Sequence, residues 1–174
     1  MELVIEAVSR ATADEARHCI LSGLEEHWGR LDLTLNPDLH DVLHTYGDVA
    51  SPDTAIPRSD GKLMLVALLD GQVVATGALI REYTQAATTP RCDEWREAPV
   101  GRIVRMSVRK NYRRRGIASL VLEALVQHAR ELGIKKLVLE TTETWSDAIG
   151  FYQRQGFALT HHADGDAHFA RLIE

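Results

Sequence analysis

A mixed α/β sheet is the fold class this chain predicts, and three stretches predict it. Asp70-Gly71 and Asp164-Gly165 each lie between runs of β-forming residues. An Asp-Gly pair suits the two left-handed positions of a tight hairpin turn, so each marks two antiparallel strands. Between Arg102 to Val108 and Lys136 to Thr141, apolar residues recur at helical spacing, giving a strand–helix–strand crossover. Such crossovers join parallel strands by a right-handed connection. Hairpins plus one crossover make a sheet of mixed direction.

The elements follow in order. Leu3 to Val8 reads as a first strand of mostly β-forming residues. Thr12 or Asp14 caps the next helix, with Ala16, Cys19, Ile20 and Leu24 along one face. Leu31 to Asn36 carries no clear period, and Pro37 suits the first turn of a second short helix ending near Tyr46-Gly47. Ala50 to Gly61, with Pro52 and Pro57, reads as a loop and a wall of a binding site. Leu63 to Leu69 and Gln72 to Tyr83 are the strands of the first hairpin, while Thr84 to Pro99 is polar and proline-bounded. From Gly116, the residues Ala118, Val121, Leu122, Leu125, Ala129 and Leu132 form the apolar face of the crossover helix. Gly133 supplies its left-handed cap. Ser146 caps a short helix running through Gln155 and closed by Gly156, before a last hairpin of Phe157 to Thr160 and Ala167 to Ile173.

At 174 residues, one domain spanning 1–174 is expected, large enough for a substantial core. A net charge of −5 argues against a general nucleic-acid coat and against a polybasic membrane anchor. No apolar run reaches the roughly 18 residues needed to span a bilayer. The N-terminus has no basic segment followed by an apolar one, so secretion is not expected. Cys19 and Cys92 lack metal-like spacing, which fits a reducing cytoplasm.

One window departs from this balance. Arg102 to Arg115 holds seven formal positive charges and no negative one, so the rest of the chain sums to −5 − 7 = −12. The window contains a strand, a basic turn and the start of the crossover helix. Unpaired N–H groups and the dipole at a helix start bind phosphate without any particular side chain. Gly116 lets the backbone approach closely, Ala118 keeps the next contact small, and Arg113, Arg114 and Arg115 add charge-assisted donors. The implied ligand is a small polyanion. Neither G-x-x-x-x-G-K-S/T nor G-x-G-x-x-G occurs, which excludes a P-loop and weakens a dinucleotide fold.

Arg113-Arg114-Arg115-Gly116-Ile117-Ala118 resembles the Q/R-x-x-G-x-G/A pyrophosphate loop of the GNAT superfamily of acyl-CoA-dependent N-acyltransferases. Arg105-Met106-Ser107-Val108 looks like that family's fourth strand. Ala148-Ile149-Gly150-Phe151-Tyr152-Gln153-Arg154-Gln155-Gly156-Phe157 looks like its A-x-x-F/L/Y-Y-x-x-x-G-F segment. The three occur in family order, defining a cofactor-binding core of about 100–160. The resemblance implies a mostly antiparallel sheet of six to seven strands, one splayed strand pair and about four helices.

It also implies roles. Acetyl-CoA would be the acyl donor, its pantetheine arm pairing with the main chain of Met106, Ser107 and Val108. Arg113, Arg114, Gly116 and Ala118, with the N–H groups around Ile117 and Ser119, would cradle the pyrophosphate, and Arg109 or Arg115 would reach the 3′-phosphate. Tyr152 would protonate the departing thiolate, since a tyrosine pKa of about 10 lies above a thiol's of about 8.5. Phe151 beside it is expected to pack on the sheet. Many family members carry asparagine where Trp145 stands, so an aromatic contact to the cofactor arm would replace a hydrogen bond. Arg102 occupies the place of the strand-four glutamate found in the histone-type branch. Deprotonation of the acceptor amine would then fall to Glu140, Glu97, His44 or a water chain.

Glu25-Glu26-His27-Trp28 offers either an acidic, aromatic wall for a cationic amine or a solvated helix end. The cluster of His161, His162, Asp164, Asp166 and His168 straddles the second Asp-Gly turn and reads as exposed hairpin polarity, with no metal expected. The chain is thus expected to be a cytoplasmic N-acetyltransferase. It would transfer acetyl directly to a primary amine of a small molecule, with no nucleic-acid or membrane partner, and the resemblance allows a homodimer. A non-catalytic acyl-CoA sensor is the alternative.

Overall fold

The computed structural model describes residues 2–47, 61–82 and 99–174. Most of the loop expected at 50–61 and of the polar stretch at 84–99, with Cys92 and Glu97, lies outside the described residues. Seven strands form one sheet: β1 (Leu3–Ala7), β2 (Lys62–Leu69), β3 (Gln72–Glu82), β4 (Val100–Val108), β5 (Lys136–Thr142), β6 (Ala158–Ala163) and β7 (Asp166–Leu172). Their order is β1-β2-β3-β4-β5-β7-β6. Among the described residues four helices join them: α1 (Ala13–Trp28), α2 (Val42–Tyr46), α3 (Ile117–Glu131) and α4 (Ser146–Arg154). β4 and β5 pair in parallel, while β1/β2, β5/β7 and β6/β7 are antiparallel. Both predicted turns are present, with left-handed Asp70 and Gly71 (φ 50° and 82°) and Asp164 and Gly165 (φ 54° and 85°).

The chain divides into two compact units, Met1–Leu79 with Arg105–Leu125 and Ile80–Val104 with Val126–Glu174. In the first, β3 is buried continuously from Val73 to Leu79 rather than alternately, because helices cover both of its faces. On one side α1 buries Ala16, Cys19 and Ile20, and the Cys19 thiol lies 3.9 Å from the Val74 carbonyl. On the other, α3 brings Val121 and Leu125 against Gly77. In the second unit, β5 buries Leu137, Leu139 and Thr141 and exposes Lys136 and Glu140, the alternation of a strand covered on one face.

Several boundaries differ from expectation for local reasons. Thr12 holds the N-cap position of α1, yet its hydroxyl accepts from Ser9 N–H (2.9 Å) and makes no cap bond to the helix. The helix expected from Pro37 to Tyr46 is broken into a 3-10 turn, Pro37–Leu39, and α2. Asp41 restarts it by accepting from His44 N–H at 2.8 Å. Another 3-10 turn, Leu33–Leu35, is capped by Asp32. Trp145, not Ser146, takes the N-cap position of α4, and no side chain caps it.

Gly77 carries a testable consequence. A Cβ there would sit 2.5 Å from Met106 Sδ, 2.9 Å from Val121 Cγ1 and 3.0 Å from Leu125 Cδ1. Gly77→Ala is expected to destabilise the fold by about 1–3 kcal/mol through overpacking, read from denaturant midpoints. Wild-type stability would show that α3 is not seated against β3 at this point.

Candidate functional site

β4 begins as a regular strand, burying Gly101 and Ile103 alternately, and the alternation then stops. The cause is Arg105, whose φ is 56°. A left-handed arginine costs on the order of 1–2 kcal/mol in backbone strain, so contacts must hold it there. They are specific. Arg105 Nε and Nη2 donate to the two Asp38 carboxylate oxygens at 2.8 and 2.5 Å, and Nη1 donates to Asn36 Oδ1 at 2.9 Å. The Arg105 carbonyl accepts from Thr76 Oγ1 at 2.9 Å. Buried Tyr46 donates its hydroxyl to Asp38 Oδ2 at 2.6 Å. Burial works to raise the Asp38 pKa. The hydrogen bonds from Arg105 and Tyr46, with the guanidinium charge, outweigh it and hold the carboxyl below its ordinary range. Burial, then the Asp38 contact, push Tyr46 up.

Of the next three residues, Met106 and Ser107 are held by their side chains and Val108 by its carbonyl. Met106 packs towards Gly77. Ser107 Oγ donates to the Cys19 carbonyl at 3.0 Å, and Gly23 permits that approach, since a Cβ there would lie 2.8 Å from the hydroxyl. The Val108 carbonyl accepts from Arg113 Nε at 2.9 Å.

The basic turn then makes one 3-10 turn, Lys110–Tyr112, and passes through left-handed Arg114 (φ 61°) and Gly116 (φ 78°) into α3. Left-handed residues alternating with right-handed ones are the backbone setting of anion-binding nests. A Cβ on Gly116 would meet nothing within 4 Å, so glycine is used here for its backbone and not for protein packing. The seven cations of this stretch are not all available to a ligand. Arg102 pairs with Glu82 and Glu140, Arg105 with Asp38, Arg109 with Glu15 at 3.8 Å, and Arg113 with Glu26 at 2.8 Å. Lys110, Arg114 and Arg115 have no carboxylate partner among the described residues, and Arg115 lies 5.5 Å above the Tyr112 ring.

In the second unit, Tyr152 is buried (8% exposed) against Phe151, Phe157 and Phe169, with ring centroids 5.1, 6.0 and 6.2 Å away. Burial raises its pKa above the ordinary tyrosine value. Phe151 is half-buried beside it and packs edge-on against the Tyr152 ring. Trp145 is half-buried at the start of α4. Glu140 Oε2 accepts from Arg102 Nη1 at 2.9 Å and lies 3.6 Å from His168 Nδ1. His44 is exposed and takes part in the α2 cap through its main chain, and Glu97 lies outside the described residues. His161 stacks on His168 at 4.4 Å, and His162 lies 3.5 Å from Glu143. No group of three or more metal-ligating side chains is gathered among the described residues. No helix among them is long and apolar enough to cross a membrane.

Sequence reading missed Asp38, Asn36 and Tyr46, whose common partner Arg105 is 67 residues beyond Asp38. No local spacing announces so distant a pair.

Comparison with solved structures agrees with this architecture. A GNAT-family acetyltransferase from Staphylococcus aureus Mu50 superposes with a TM-score of 0.76 at 20% identity, covering 99% of this chain and 100% of that one. The PaiA N-acetyltransferase of Thermoplasma acidophilum, in complex with coenzyme A, gives 0.73 at 12% identity with the same coverage. At such identities they establish the fold alone. The profile of the Acetyltransferase (GNAT) family matches residues 28–157, and the chain belongs to that family. It is similar to N-alpha-acetyltransferase 60 of Drosophila melanogaster, 40% identical over 67 residues (37% of this chain, 24% of that protein). It is also similar to human N-acetyltransferase 8B, 29% identical over 152 residues (84% of this chain, 56% of that protein). Across the curated relatives it matches, the chain spans 24–56% of their lengths.

The Asp38 carboxylate gives this site a pH signature. Its folded pKa lies below its ordinary 3.8, so the stability it contributes is present above that value and is lost as pH falls through the folded pKa. Asp38→Asn is expected to lower stability by about 1–3 kcal/mol at neutral pH. In urea titrations below pH 3.8 the gap to wild type should shrink steadily. A gap independent of pH would show that the Asp38 charge is not what holds Arg105.

Proposed function

We propose that the chain is an acetyl-CoA-dependent N-acetyltransferase that moves an acetyl group directly to a primary amine of a small molecule. The observation that carries this is the strand–turn–helix from Met106 to Ser119, lying within the family-matched stretch. There the backbone is left-handed at Arg114 and Gly116, and a Cβ on Gly116 would meet nothing within 4 Å. The diphosphate of the donor binds the N–H groups of that turn and of the opening of α3, with Lys110, Arg114 and Arg115 adding charge. The register of β4 on β5 ends at Arg102↔Val138 while β4 continues to Val108. That supports giving the main chain of Met106 and Val108 to the pantetheine arm, because strand N–H and C=O groups need partners, although the Val108 carbonyl already accepts from Arg113.

With both substrates bound, the neutral amine attacks the thioester carbonyl carbon. Main-chain N–H donors stabilise the oxyanion, the C–S bond breaks, and Tyr152 protonates the sulfur. A raised tyrosine pKa suits an acid, since the hydroxyl keeps its proton through the neutral range. The Glu140 carboxylate is engaged by Arg102, so we assign removal of the amine proton to solvent. The acidic end of α1 and the net charge of −5 favour a cationic acceptor.

Gly116→Glu places a carboxylate at a left-handed position facing the diphosphate. It should weaken acetyl-CoA binding by at least about 100-fold in calorimetry, and unchanged affinity would remove the turn from the site. Tyr152→Phe should lower kcat by about 100-fold with acetyl-CoA affinity intact. Thiol release measured across a panel of amines tests the activity itself. Tight acetyl-CoA binding without turnover on any amine would favour the sensor.

A further inference from the structure

We propose that Arg105 is a positioning residue for the transfer reaction: its left-handed backbone and its fork onto Asp38 together set where the Met106–Val108 main chain lies relative to the Asn36–Tyr46 segment. The inference rests on the acetyltransferase reading, which gives that main chain to the donor.

The choice of residue is the starting point. A position at φ 56° inside a strand is one where glycine is unstrained, yet the chain places arginine there. The backbone geometry alone therefore does not account for the residue; the side chain must be needed at that point. Its guanidinium makes three hydrogen bonds, two to Asp38 and one to Asn36, and Tyr46 holds the same carboxylate from the far end of α2. A lysine could not reproduce that planar fork. The Thr76 hydroxyl fixes the Arg105 carbonyl, so the backbone is restrained as well as the side chain. A second tether closes the other end of the segment, where Arg113 bridges the Val108 carbonyl and Glu26 at the end of α1. The main chain from Met106 to Val108 is thus held between two arginines. Each bonds a carboxylate from the α1–α2 stretch, and only the Arg105 tether enters through a left-handed backbone.

A clamp of this kind acts on reaction geometry more than on donor affinity, because the diphosphate cradle from Arg114 to Ser119 is outside it. Arg105→Gly tests it without imposing backbone strain. We expect its acetyl-CoA affinity by calorimetry to stay within about threefold of wild type. Its kcat for thiol release should fall by about tenfold or more, as misplacement of a reacting group does. Asp38→Asn, which leaves Arg105 in place, should show the same division between kcat and affinity, and carries the test if Arg105→Gly fails to fold. The double variant should be no slower than the slower single one, since both remove one clamp. Multiplying losses, or an Arg105→Gly kcat within about twofold of wild type, would overturn the proposal. Wild-type protein is the control: lack of turnover on every amine overturns the acetyltransferase reading and this inference together. Normal wild-type turnover with an unaffected Arg105→Gly overturns only the latter.

Discussion

A strained backbone held by an ion pair lies at the centre of the first unit. Arg105 adopts a conformation that an L-residue avoids, and Asp38 offsets the cost through two hydrogen bonds to one guanidinium. Partly burying such a pair carries a desolvation penalty, repaid only where geometry is good and the remaining donors and acceptors are satisfied. Both conditions are met: Asn36 takes a third guanidinium N–H and Tyr46 a second contact on Asp38. The pair also fixes the connection between α1 and α2, a stretch of two 3-10 turns with little regular hydrogen bonding of its own. It accounts for the interruption of β4, while α2 is seated as well by buried Val42 and Tyr46 and by the Arg17 bond to the Leu39 carbonyl.

The same chemistry redistributes charge. Seven cations in fourteen residues suggest a highly positive surface, but four of them are matched by carboxylates from distant parts of the chain. The acidic excess outside the window is partly there to neutralise it. Arg113 illustrates the change most directly. The motif suggests a phosphate donor, while the structure uses its Nε and Nη1 on Val108 and Glu26, and Glu26 is thereby tied to the turn.

What was legible in the sequence is what depends on near neighbours. Both Asp-Gly turns, the apolar face of α3 and the left-handed caps at Gly133 and Gly156 follow from spacing within one element, and all are present. The helix break at Asp41 escaped because a local side-chain cap competes with continuation, and propensity alone does not rank the two. The Arg105 cluster escaped because its members are brought together only by the tertiary fold. The depth of Tyr152 depended on which of two adjacent helical residues faces Phe169, a rotation that the motif does not encode.

On the proposed reading, an acidic chain can hold a polyanion because of where the donors would lie. Main-chain N–H groups carry partial charges fixed by the backbone, so they need no countercharge and are not neutralised by nearby carboxylates as a surface arginine is. On that reading left-handed Arg114 and Gly116 shape the turn, and an unobstructed Gly116 keeps the approach open. Side-chain charge can then be limited to Lys110, Arg114 and Arg115, while the other arginines of the window brace the strand and turn. Selectivity for a diphosphate would come from the shape of the backbone, and the arginine run would set mainly how strongly that binding depends on salt.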